Sequence, residues 1–211
     1  MTNTLTPQQH AAAAIAAHTA SGRMPQLHDA LTDGLNAGLS INQIKEILVQ
    51  MYAYAGFPRS LNALGTFMVL IERRRADGIT DPAGEEPKNL PADTDMLEAG
   101  TANQTQLSGA PVAGPLFEFA PAVDRFLKTH LFGDIFSRDN LDWQTREIAT
   151  VAALTSLDGV ESQLQSHLGI ALNTGLTGPQ LRDLITHLNP AVGPDRSGRA
   201  ADILDKVLAA R

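Results

Sequence analysis

The chain has 211 residues, 43% of them hydrophobic, with 16 basic and 23 acidic side chains and a net charge of −7. That length and apolar content can build a sizeable core, while an acidic balance without a clustered basic face argues against nucleic acid and anionic membrane as partners. There is no cysteine, which excludes disulfides, thiolate metal sites and every cysteine-based mechanism.

In chain order, the polar start over residues 1–9 lacks the charged-then-apolar layout of a secretory signal, and no apolar run reaches the roughly 18 residues of a bilayer span. Cytoplasm is the expected location. Ser40-Ile41-Asn42-Gln43 carries the hydroxyl and glutamine of a helix start, predicting a helix over 44–54 that Gly56-Phe57-Pro58 breaks. A further helix is expected over 59–75. Residues 76–116 hold seven acids against the single base Lys88, together with five prolines; this reads as a long surface connection, functional or partly ordered at such length. Residues 117–136 contain five of the seven phenylalanines, which predicts a helix buried between units or subunits. Asp139, Asn140 and Asp142 are then available to cap a helix whose apolar positions Ile148, Val151, Ala152 and Leu154 follow helical spacing to Asp158-Gly159. A second helix is predicted over 160–173 on the stripe Leu164, Leu168 and Leu172, and Thr177-Gly178-Pro179 restarts a third. No stretch alternates with period two for long enough to suggest a sheet. The fold class is all-α.

Residues 9–74 set against 146–211, at a constant offset of 137 and without a gap, give 16 identities in 66 positions, against roughly 6% expected by chance from ordinary composition. Matches fall on punctuation: Gly22 with Gly159, Gly38 with Gly175, Gly56 with Gly193, and Arg59-Ser60 with Arg196-Ser197. Shared glycines at shared spacing imply shared turns, so two tandem copies of one helical unit are expected. The organisation is then a first unit over 1–75, an acidic linker over 76–115 and a second unit over 116–211.

Tyr52-Ala53-Tyr54-Ala55-Gly56-Phe57-Pro58 resembles the aromatic-glycine-phenylalanine-proline signature of the carboxymuconolactone decarboxylase family. So do Thr145-Arg146-Glu147, Gln163-Leu164-Gln165-Ser166-His167 and Phe132-Gly133-Asp134-Ile135-Phe136 with Arg138. The resemblance implies an alkylhydroperoxidase D-like helical bundle, assembly into a homo-oligomer with a trimer favoured, and cofactor-free decarboxylation of a small carboxylated lactone of the 4-carboxymuconolactone type. The redox branch of that superfamily carries two cysteines, the second four residues ahead of the histidine. Val160 and Gln163 stand there, so the chain is not a peroxidase.

Decarboxylation without a cofactor needs a held carboxylate, an electron sink and a general acid; a conjugated lactone carbonyl can be the sink. His167 is the candidate acid and Glu147 the group that orients it. The two stand 8 and 11 residues on either side of a hairpin turn, within about 5 Å of the same level at 1.5 Å per residue. Gln163, one turn before His167, is a candidate donor to substrate, and Arg59 and Arg146 are candidate carboxylate clamps. Tyr54, Phe57 and Trp143 are candidate pocket walls. The remaining histidines show no metal-ligand spacing, and neither metal nor cofactor is expected. The alternative is a catalytically silent oligomer or ligand-binding member, in which Glu147 and His167 only bridge two helices.

The copies have diverged in a complementary way. The first has His10 and Ala30 where the second has Glu147 and His167, but it keeps the aromatic signature where the second reads Asn189-Pro190-Ala191-Val192. A composite site is expected, with binding surface from the first unit and proton transfer from the second.

Overall fold

The computed structural model describes residues 3–211; Met1 and Thr2, the first two residues of the polar start, lie outside them. The described residues form helices and connections with no strand. The segment expected to form the first unit contains α1 (Pro7–Ser21), α2 (Met24–Asn36), α3 (Ile41–Gln50), α4 (Tyr52–Ala55) and α5 (Phe57–Ala76). Then come α6 (Met96–Ser108), α7 (Pro115–Phe119), α8 (Pro121–Phe126) and a π-helix (Leu127–Ile135). The chain closes with α9 (Trp143–Thr155), α10 (Glu161–Asn173), α11 (Gly178–Val192) and α12 (Pro194–Ala209). Among the described residues no helix is long and apolar enough to cross a membrane.

Helix starts follow the caps read in the sequence. Ser40 and Gln43 form a reciprocal capping box on α3, as Thr177 and Gln180 do on α11, and Asp142 accepts from the Thr145 amide at the head of α9. Moved by 137, the bounds of α2 coincide with those of α10. Gly56 and Gly193 adopt nearly one conformation, φ 84°, ψ 155° against φ 88°, ψ 162°, a left-handed φ that favours glycine. The predicted helix over 44–54 is in fact two, α3 and α4, where α11 runs on unbroken through Asn189 and Pro190.

At the centre, α1 packs along α9. α1 buries Ala11, Ala12, Ala13, Ala16, Ala17 and Ala20, and every residue of α9 from Thr145 to Thr155 is buried. The alanines let the two helices approach closely, and α9 is enclosed although it carries the buried Arg146, Glu147 and Thr150. One continuous core draws on both units. Each central helix also meets the third helix of the other unit, α9 against α3 and α1 against α11.

The acidic connection is ordered. Its backbone carbonyls at Pro82 and Ala83 accept from Ile41 and Asn42, and Arg74 forms a mostly buried ion pair with Asp81 at 2.8 Å. Beyond them Asp95 caps α6, which crosses the π-helix at Gly100 so closely that a Cβ there would stand 1.6 Å from the Lys128 carbonyl oxygen. The phenylalanine-rich segment departs from the expected buried helix. Pro121 interrupts it, Phe132 and Phe136 are buried, but Phe119 is 89% and Phe126 65% exposed. Leu131, Phe132, Ile135 and Phe136 gather with Leu107 and Ile170 into a second small cluster, packed on by Tyr52, Tyr54 and Trp143.

Candidate active site

α9 and α10 form the hairpin that carries the acid–base candidates. Glu147 is fully buried and His167 is 8% exposed, with imidazole Nδ1 2.8 Å from Glu147 Oε2. An ionised carboxylate at that place fixes the proton on Nδ1. Among the described residues Nε2 has no hydrogen-bond partner, and it is not sealed from solvent.

Tyr54 reaches this ring from the first unit. Its aromatic ring meets the imidazole edge-on, with centroids 5.5 Å apart and planes at 82°. The hydroxyl is buried without a partner, as is Oε1 of Glu147. Burial, and then the Glu147 carboxylate, push the Tyr54 phenol well above its usual range, opposed by the Thr150 hydroxyl and the Arg146 guanidinium. The phenol therefore stays protonated.

The other site candidates are placed differently. Arg146 is fully buried and donates to Glu46 at 3.1 Å, to Gln50 at 3.2 Å and to the Arg138 carbonyl at 2.9 Å. It ties α9 to α3 and has no face for a ligand. Arg59 is drawn to the end of α1, where it donates to the Ala20 carbonyl. Gln163 is exposed and accepts from Ser162. Phe57, 62% exposed, stacks on Tyr52 at 4.3 Å. Trp143 donates from Nε1 to the Phe136 carbonyl and packs on the second cluster beside Tyr54. Of the six, Tyr54 alone has a ring contact with His167.

Sequence reasoning missed the polar chain behind the pair. Glu46 accepts from Arg138 and Arg146, while Gln50 donates to the Arg146 carbonyl and to Thr150 Oγ1 at 2.8 Å. Burial pushes the Glu46 carboxyl up, but the bonds from Arg138 and Arg146 outweigh it and hold the group below its ordinary value. A signal was available: Glu46 and Gln50 stand four apart among Ile44, Ile47, Leu48 and Met51, polar positions on an otherwise apolar face. Among the described residues no cluster of three or more histidines and carboxylates is arranged to hold a metal ion.

An open groove of about 570 Å³ lies between α1 and α2, lined by His10, His18, Ala30, Asp33 and, from α11, His187. His10 Nε2 pairs with Asp183 at 2.7 Å and its ring stacks on His187 at 4.3 Å. At the sequence offset of 137, Ala30 of this groove aligns with His167.

Residues 121–206 match the model of the carboxymuconolactone decarboxylase family. Over 92 residues the chain is 32% identical to a 4-carboxymuconolactone decarboxylase from Acinetobacter baylyi, an alignment spanning 44% of this chain and 68% of that protein. Glu147, His167 and the π-helix lie within the family match.

Proposed function

We propose, since the chain belongs to the carboxymuconolactone decarboxylase family, that it is a cofactor-free carboxy-lyase acting on a small carboxylated lactone or enol. The observation that carries this reading is the buried 2.8 Å bond between Glu147 and His167 with Nε2 left free. In the reaction the scissile carbon–carbon bond breaks and carbon dioxide leaves. The electron pair of the broken bond passes through the conjugated system onto the lactone carbonyl, and His167, having taken a proton from solvent on Nε2, gives that proton to carbon. Glu147 holds the imidazole in one orientation and balances its charge.

The test is turnover of 4-carboxymuconolactone, followed by loss of its ultraviolet absorbance and release of carbon dioxide. His167→Ala and Glu147→Gln are each expected to lower kcat by about 100-fold or more with the helical circular dichroism unchanged. Full turnover by His167→Ala sinks the reading. One observation favours a silent or merely ligand-binding member: Arg59 and Arg146 are both engaged elsewhere, leaving no clamp from that pair for a substrate carboxylate. Binding without turnover in the same assay supports that second reading.

Assembly belongs to the same proposal. Leu116, Phe119, Val123 and Phe126 leave an exposed apolar face along α7 and α8, which supports a homo-oligomer, with a trimer favoured. Light scattering that returns the 22.5 kDa monomer at micromolar concentration overturns it.

A further inference from the structure

Glu147 is sealed within the protein, yet only one of its oxygens is bonded. A buried ionised carboxylate with a single hydrogen bond is costly, because the unused oxygen has lost its water without replacement. The donors near it are few. Thr150 has one proton and gives it to the Arg146 carbonyl at 3.0 Å. Arg146 spreads its terminal nitrogens over Glu46, Gln50 and the Arg138 carbonyl, with the Phe136 ring 6.0 Å from its central carbon. Its Nε is also buried without a partner, but these bonds hold the guanidinium toward α3. His167 has already committed Nδ1. Tyr54 is the donor on the His167 side: its ring touches His167, and its buried hydroxyl lies near the Glu147 carboxylate and the Thr150 hydroxyl without a hydrogen bond to either.

We propose that Tyr54 is a positioning residue of this site: its hydroxyl donates, directly or across one water, to Oε1 of Glu147. An acceptor lacking a donor and a donor lacking an acceptor flank the same imidazole, and each orphan is the remedy for the other. With both oxygens engaged, the Glu147 carboxyl group cannot rotate, so Oε2 keeps hold of Nδ1 and Nε2 keeps its direction. The first unit thus contributes to proton transfer rather than wall surface alone. The inference deepens the proposed acid–base site and rests on that reading for its catalytic consequence, but not for the bond itself.

The experiment is nuclear magnetic resonance of the full chain, with histidine nitrogens labelled. Tyr54→Phe is expected to move the downfield Nδ1–H resonance of His167 and to speed its exchange with solvent. If the lactone is turned over, kcat falls about 10-fold with KM nearly unchanged, the loss of one hydrogen bond to a charged group. Tyr52 and Tyr54 are the only tyrosines, so Tyr52→Phe protein grown on 3-fluorotyrosine carries the fluorine reporter at Tyr54 alone, should Tyr54→Phe fail to fold. Its fluorine signal is expected to shift on Glu147→Gln. An unmoved Nδ1–H resonance in Tyr54→Phe, or a fluorine signal indifferent to Glu147→Gln, overturns the proposal, whatever happens to Tm. Moved resonances in a protein that turns over no lactone support the Tyr54 bond and sink the proposed reaction instead.

Discussion

The α1–α2 groove and the α9–α10 hairpin lie in segments aligned at an offset of 137, where the bounds of α2 and α10 coincide, and they differ in what covers them. In the second unit α6 lies against α10, and Asn173 donates to the Leu107 carbonyl, so that Ile170 joins the small apolar cluster. Among the described residues no such segment lies over the α1–α2 groove, and the residue aligned with Ile170 is the exposed Asp33. The ties behind the grooves differ in the same sense. Glu46 and Arg146 join α3 to α9 with side chains 5% and 0% exposed, whereas Asp183 and His10 join α11 to α1 at 24% and 26%. Side-chain polarity follows the cover. A buried imidazole–carboxylate pair is found where the insertion closes the groove, and open histidine chemistry where it does not.

The largest expected effect tests the two ties against each other. Arg146→Ala leaves Glu46 buried with one guanidinium partner fewer, a loss of about 3–5 kcal/mol for breaking a buried pair. His10→Ala removes a partly exposed pair and is expected to cost at most about 1 kcal/mol. Denaturant unfolding of both variants measures the difference. Equal losses would show that the cover does not govern these interactions.

A smaller effect separates the grooves by pH. Burial, helped by Arg23 for His18 and by His10 for His187, holds both imidazoles below their ordinary 6.5. Their stability contribution is whole above 6.5 and is lost as pH falls through the lower folded values. Glu46 is held below its ordinary 4.5, so its contribution is whole above 4.5 and is lost only in more acidic solution. Tm against pH should therefore fall in two limbs. His187→Gln is expected to flatten the upper limb and Glu46→Gln the lower; a single limb near pH 4 breaks the assignment.

The smallest expected effect is an absence. Writing the acid–base pair into the first unit with His10→Glu and Ala30→His should add less than about a hundredth of wild-type turnover, since proton transfer requires a closed, positioned site. Ala191 aligns with Tyr54, and none of the described residues closes the α1–α2 groove. A second active site appearing in a His167→Ala background would show that cover and tyrosine are dispensable.

Much of this was legible in the chain itself. Capping boxes at Ser40 and Thr177, the paired glycines and the apolar stripes of the second unit set the helices, because these are local signals read within one or two turns. The lack of cysteine removed thiol chemistry outright, and the hairpin arithmetic brought Glu147 level with His167. Only the tertiary structure decided which polar groups face one another. Arg146 and Arg59 are alike in sequence, yet one is sealed against Glu46 and the other caps α1. The phenylalanines of residues 117–136 divide into buried and exposed because Pro121 and the π-helix set their directions, which composition does not encode. Tyr54 meets His167 across more than a hundred residues. Such a meeting depends on how α3 and α4 pack on α9, and periodicity within any one helix carries no information about it.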